Sequence, residues 1–369
     1  MRTQLAKDLG LEFPIFAFTH CRDVAAAVSK AGGLGVLGVA GHSTKDLERE
    51  LAWIEKEVGD KPYGVDLLLP TKFVAGDGDA LDAKIPAEHR RFVDELLAEH
   101  GVPPLPDGER VSGGLQVGYD GQREVIEMLF EHPISLIASA LGPPPAWMIE
   151  QGRARGVKVA ALAGTVEHAR RHVEAGVDIV VAQGYEAGGH TGEISTMVLV
   201  PEVVDAVAPV PVLAAGGIAN GRQVTASLAL GAQGVWTGSV WLTTEEAETH
   251  PVVKEKFLRA TSRDTLRSRS KTGKPARMLR SAWTDAWEDP ANPEPLPMPL
   301  QPRLVREAEA RIARTAHKSP GAQQLISYFV GQVVGSLNEV SSVRSVVESL
   351  VAEYADTMER LDAWAAGDE

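Results

Sequence analysis

Eight short apolar runs, each closed by glycine, proline or a polar turn, recur between Pro14 and Trp241. Between most of them lies a stretch whose apolar residues return every three or four positions. The runs are Pro14–Phe18, Leu34–Val39, Tyr63–Leu69, Ser135–Ser139, Lys158–Leu162, Asp178–Gln183, Val212–Ala215 and Gly234–Trp241. The helical stretches include Arg22–Ala31, Lys45–Val58, Ala146–Arg155, Val166–Ala175 and Gly221–Leu230. A strand followed by a helix, repeated, makes a parallel sheet, because each helix carries the chain back to the start of the next strand. Eight such units predict an α/β fold closed as a TIM (β/α)8 barrel. An open doubly wound sheet is the rival, and it would need a topological switch point.

Two stretches interrupt the repeat. Thr71–Asp120 reads as an insertion after the third strand, with a turn-rich entry (Ala75–Asp79), a charged helix (Ala87–His100) and a Pro/Gly loop (Val102–Gly114). After the barrel come a basic segment, Thr261–Arg280, a proline-rich segment, Asp289–Pro302, and a helical region, Pro320–Ala365. Residues 1–260 are therefore expected to form the barrel, and residues 261–369 a C-terminal helical extension packed on it. The basic segment is expected to be a solvated loop that ties down the last helix, ahead of a clamp for an anionic ligand.

Charge narrows the partners. With 37 basic and 50 acidic side chains the chain carries a formal charge of −13, which argues against a nucleic acid held through its phosphates. The lone cysteine, Cys21, permits no intrachain disulfide and no multi-cysteine metal site, and no metal is expected. No apolar run approaches the ~18–20 residues of a membrane span, and Met1–Gly10 lacks the apolar core of a signal peptide. The expectation is a cytoplasmic protein acting on a small molecule, away from membranes, with homo-oligomerisation left open.

In such a barrel the reactive groups sit where strands pass into loops. The seventh run leads into Ala215-Gly216-Gly217-Ile218, and the eighth contains Trp236-Thr237-Gly238-Ser239. Glycines at both places let backbone N–H groups approach a phosphate, and these two loops are the barrel's habitual phosphate site. After the sixth run, Gln183 leads into Glu186-Ala187-Gly188-Gly189-His190. An imidazole flanked by glycines beside phosphate loops can face a cavity and exchange a proton near neutral pH, which makes His190 the candidate catalytic base.

These segments resemble a known family. EAGGH, AAGGIANGRQVTASLALGAQGVWTGS and the later Thr272-Gly273-Lys274-Pro275-Ala276-Arg277 look like nitronate monooxygenases, formerly called 2-nitropropane dioxygenases. The similarity extends to Pro14-Ile15 and the turn at Gly32-Gly33-Leu34-Gly35. The resemblance implies FMN as cofactor, with its phosphate at Gly216, Gly217, Gly238 and Ser239 and its ring and ribityl chain near Gln183 and Gly188. It implies oxidation of nitronates or nitroalkanes by O2 to a carbonyl compound and nitrite. His190 would take the α-proton. Flavin-dependent enoyl reductases share these motifs, so an NAD(P)H-dependent reductase of enoyl or other acyl thioesters is an alternative, and a non-catalytic flavin- or metabolite-binding barrel another.

The first loop departs from the family. Where a proline and a methionine usually stand, this chain reads Ala17-Phe18-Thr19-His20-Cys21-Arg22, and the third strand carries Asp66 in place of the common asparagine. Ala17, Phe18, Trp236, Thr237 and Asp66 are expected beside the cofactor, and His20 and Ser139 beside the substrate. Asp66 is expected to pair with His20 or Arg22, since an isolated carboxylate next to a flavin would disfavour its anionic reduced form.

Overall fold

Each apolar run becomes a strand because both of its faces are buried, one inside the barrel and one beneath the helices. The computed structural model describes residues 1–69, 78–106, 109, 111 and 119–367. Its strands, in chain order, begin with β1 (Ile15–Thr19), β2 (Leu34–Gly38), β3 (Tyr63–Leu68), β4 (Leu136–Ala140), β5 (Lys158–Ala163) and β6 (Ile179–Gln183). The two-residue β7 (Gly189–His190), β8 (Val212–Ala215) and β9 (Gly234–Thr237) follow. All but β7 form one closed barrel in the order β1-β2-β3-β4-β5-β6-β8-β9, which excludes the open doubly wound sheet. Every neighbouring pair is parallel, including the closing pair β1 and β9.

Strand alternation sorts the side chains. Phe16, Val36, Leu136, Val181, Leu213 and Trp236 fill the barrel. Ile15, Ala17, Leu37, Val65, Ile137 and Val180 face the helices. Removing an interior side chain, as in Leu213→Ala, would cost about 2–5 kcal/mol by the usual scale for such cavities. The helices start where polar caps allow: Thr165 accepts from the His168 amide, and Asn220 closes a reciprocal capping box with Gln223.

Three expectations need correction. The eighth strand stops at Thr237 rather than Trp241, because the chain turns at Gly238 into a 3-10 turn, Ser239–Trp241, whose indole donates back to the Thr237 carbonyl at 3.1 Å. The basic segment is not a solvated loop. Thr265–Ser268 (β10) and Ala276–Leu279 (β11) pair antiparallel, and β11 pairs in turn with β7. The region from Pro320 is α-helical only to Leu325; it continues as an extended strap, bridged to Met278 at Phe329, and a 3-10 turn, Gln332–Ser336, before the last helix, Val343–Ala366.

The insertion helix, Ala87–Glu99, packs its Val93, Leu96 and Leu97 into one apolar cluster with Trp283 and Ile312 from the C-terminal region and Phe257 from the helix Pro251–Arg259. The two extras thus share a core of their own. Most of the turn-rich entry Ala75–Asp79 and much of the Val102–Gly114 loop lie outside the described residues. Among the described residues, no helix is long and apolar enough to cross a membrane.

Candidate active site

The carboxyl ends of the barrel strands open into one cavity of about 1250 Å3, roofed by the C-terminal strap and by the helices Ala282–Glu288 and Leu300–Thr315. Such strand-end mouths are where barrels place ligands. Gln183, Gly188, His190, Gly216, Gly217, Trp236, Gly238 and Ser239 all border it, as do Phe18, His20 and Asp66. Trp236 stacks on Phe18 at 6.4 Å between centroids and on Phe16 at 6.5 Å, forming an aromatic floor on one side.

Consecutive glycines shape the seventh loop. Gly216 and Gly217 have φ of +97° and +73°, a consecutive positive-φ pair that only glycine adopts without strain. The amides of Gly217, Gly238 and Ser239 have no partner among the described residues. In the eighth loop, a Cβ at Gly238 would touch nothing closer than Phe18, 3.9 Å away, so the space beside that residue is open. The Ser239 hydroxyl accepts from the Gly331 amide at 2.8 Å, and the Gln332 amide donates to the Glu186 carbonyl at 2.9 Å, which binds the strap to both loops.

His190 is held by sequence-distant neighbours. Its strand pairs with Ala276, and its Nε2 lies 2.8 Å from the Thr272 Oγ1. The same hydroxyl lies 3.1 Å from the Lys274 carbonyl and accepts from the Lys274 amide at 3.3 Å. Burial, and after it the Lys274 charge, push the His190 pKa down to about 4, so the imidazole is neutral at pH 7. Beneath it, Tyr185 lies between the guanidinium groups of Arg267 and Arg277, 5.2 and 4.4 Å from its ring centre. Arg277 is fully buried and its Nε donates to the Tyr185 carbonyl at 3.1 Å, which fixes the loop that carries His190.

A match to the nitronate monooxygenase family model spans residues 5–353. The chain belongs to the nitronate monooxygenase family. It is 61% identical to Rv1533, a Mycobacterium tuberculosis protein that carries a monooxygenase name, over 98% of each chain. A Bacillus subtilis protein named as a nitronate monooxygenase is 30% identical, covering 89% of this chain and 91% of its own. Among solved structures, nitroalkane oxidase from Streptomyces ansochromogenes superposes with a TM-score of 0.80 at 27% identity, covering 96% of this chain and 99% of that one. FabK from Thermotoga maritima superposes with a TM-score of 0.74 at 29% identity, covering 99% of each. As a nitronate monooxygenase family member the protein is a flavin-dependent oxidoreductase.

The barrel mouth differs from the sequence expectation at three residues, Ala17, Ser139 and Asp66. Ala17 does not reach the cavity; it points outward, on the Ile15 face of β1, against the helices. Ser139 also points outward, and its hydroxyl donates to the Gly142 carbonyl at 2.8 Å. Thr237 borders the cavity, yet its hydroxyl donates to the Phe16 carbonyl at 3.2 Å and accepts from the Trp241 indole at 3.1 Å. Asp66 pairs with neither expected cation. Arg22 is engaged by Glu50 at 3.2 Å and stacked on Trp53, while His20 Nδ1 lies 3.1 Å from the Gly38 carbonyl. Asp66 is buried, its Oδ2 has no partner, and burial raises its pKa well above the usual carboxylate range.

Sequence reading gave Thr272 and Arg277 only as part of a motif, and it missed Gly331, whose amide donates to the Ser239 hydroxyl. A motif shows that residues recur together; which ones meet His190 depends on the β7–β11 pairing, formed across more than eighty positions of chain. Cys21 is no candidate nucleophile: its sulfur donates to the Glu246 carbonyl at 3.2 Å, and burial raises its pKa.

Proposed function

We propose that the protein binds FMN across the barrel mouth and oxidises nitronates, formed at the site from nitroalkanes or taken up directly, with O2. The observation that carries this reading is a neutral, hydrogen-bonded imidazole, His190, bordering the same cavity as two glycine loops whose Gly217, Gly238 and Ser239 amides have no partner among the described residues. A Cβ built at Gly238 meets no atom closer than 3.9 Å, which leaves room for a phosphate there, and among the described residues no second nucleotide fold offers a place for an adenosine half, so FMN fits better than FAD.

The protein's part of the chemistry is proton transfer and positioning. Thr272 has one hydroxyl proton, and the Lys274 carbonyl can only accept it; the hydroxyl then accepts from Nε2–H of His190, which leaves Nδ1 as the base. Removing the α-proton from a neutral nitroalkane turns imidazole into imidazolium and the substrate into a nitronate anion. The two charges arise side by side in a site of low polarity, where each offsets the burial of the other. The bound flavin supplies the electron-accepting chemistry by which a nitronate becomes, with oxygen, a carbonyl compound and nitrite.

FabK likeness keeps a reductase of acyl thioesters as the second reading. Anaerobic mixing of the purified protein with an alkyl nitronate, NADH or NADPH separates the two. Bleaching of the flavin by the nitronate alone supports the oxygenase reading; bleaching by a nicotinamide alone overturns it.

A further inference from the structure

Gly38 and Asp66 are register partners on β2 and β3, so their side-chain positions project from the same face of the sheet, into the barrel mouth. Gly38 has no side chain, and His20 takes the space: a Cβ built at Gly38 would lie 2.7 Å from the imidazole and 3.0 Å from Phe18. The His20 ring therefore stands beside Asp66, about one strand spacing (~4.8 Å) away, and no hydrogen bond or ion pair joins them. Their free functions are complementary. Because the Gly38 carbonyl can only accept, His20 carries its proton on Nδ1 and turns a bare Nε2 to the cavity. Asp66, buried and without a cation, has an unpartnered oxygen in the mouth.

In the eight-strand order, β3 lies diametrically across the mouth from β8, the strand that carries Gly216 and Gly217. A planar ring whose phosphate tail is held at those glycines and which spans the mouth presents its far edge to β3. An isoalloxazine has one apolar edge, bearing two methyl groups, and one imide edge, where an N3–H donor is flanked by carbonyl acceptors. Phe18, Trp236 and Leu68 offer the ring apolar contact, and at the ends of β1 and β3 the His20 and Asp66 side chains offer an acceptor next to a donor.

We propose that His20 and Asp66 together recognise the imide edge of the flavin, His20 Nε2 accepting from N3–H and the Asp66 carboxylic acid donating to an adjacent carbonyl. The inference rests on the FMN reading above. Burial that keeps the acid neutral is consistent with it: the acid then matches an amide in offering one donor and one acceptor, and no uncompensated charge is buried.

The test is equilibrium binding of FMN and of 3-methyl-FMN, which lacks the N3 donor, to the purified protein and to H20F, D66N and D66L. Wild type is expected to bind 3-methyl-FMN about tenfold more weakly than FMN, the size of one hydrogen bond at about 1.4 kcal/mol. H20F is expected to lose that discrimination. D66N, which keeps a donor, is expected to stay within about threefold of wild type for FMN, and D66L to bind about tenfold more weakly. Equal binding of the two flavins by wild type, or undiminished discrimination by H20F, overturns the assignment while leaving the FMN reading intact. Failure to bind either flavin overturns both. Circular dichroism of each variant shows whether a loss of binding is a loss of fold, and the analogue comparison within wild type decides the matter without any substitution.

Discussion

His190 Nε2 and Thr272 Oγ1 meet at 2.8 Å although 82 residues separate them in the chain. The contact exists because β11 lays the basic segment against the two-residue β7, and it gives a glycine-flanked loop histidine a fixed tautomer and direction. A general base needs both, since proton transfer falls off sharply once donor and acceptor leave hydrogen-bond reach.

Replacing His190 with asparagine is expected to lower turnover of a neutral nitroalkane by about 10²–10⁴-fold, the usual worth of a positioned base. Turnover of the preformed nitronate, already deprotonated, is expected to fall much less. Steady-state rates on the two substrates make the comparison, and equal losses would show that His190 binds the anion or shapes the flavin pocket instead.

Thr272→Val keeps the shape and removes the hydroxyl, so nitroalkane turnover is expected to drop about tenfold or more through misorientation of His190, while Thr272→Ser largely restores it. Measured kcat with the two substrates checks this. A loss equal for nitroalkane and nitronate would place the role of Thr272 elsewhere.

The His190 pKa, lowered to about 4 by burial and then by Lys274, sets the acid limb of activity. The base is present above that value and is lost as pH falls through it, so kcat/KM for a neutral nitroalkane is expected to decline with an apparent pKa well below the ordinary 6.5 of histidine. The same shift affects folding. The unfolded chain protonates His190 below about 6.5 and the folded one resists until about 4; stability is therefore full above the higher value and is lost as pH falls toward the lower. His190→Asn is expected to flatten part of that acid loss in urea titrations run from pH 7 to 4.

A bulky side chain at Gly238, as in Gly238→Val, meets open space rather than protein, since the nearest atom to a Cβ there is 3.9 Å away. The variant is expected to fold and to lose the yellow colour, because the added atoms stand where a phosphate would approach the amides. Absorbance near the flavin bands together with circular dichroism tests this; a folded, fully yellow variant would move the phosphate elsewhere.

Cys21 is expected to alkylate with iodoacetamide more slowly than a free thiol at pH 7.5, because burial raises its pKa and its sulfur donates to the Glu246 carbonyl. Rapid, stoichiometric labelling of the native protein would contradict the placement.

What the sequence determined by itself was that the chain forms a barrel and that the glycine loops and His190 lie at its mouth. Strand periodicity, glycine placement and helix caps are local properties, readable over a few neighbouring residues, and the order of β and α units leaves few closures for a parallel sheet. Even so, local reading could not say which way a particular strand faces. One residue of register sends Ala17 and Ser139 outward and Phe18 and Asp66 inward. Tertiary structure alone decided that the basic segment is a sheet supporting His190 and that Asp66 is an unpaired acid beside His20 rather than half of an ion pair. Each depends on groups far apart in the chain meeting in space. Whether a carboxyl keeps its proton is set by the solvent and partners it loses on folding, not by the residues next to it in sequence.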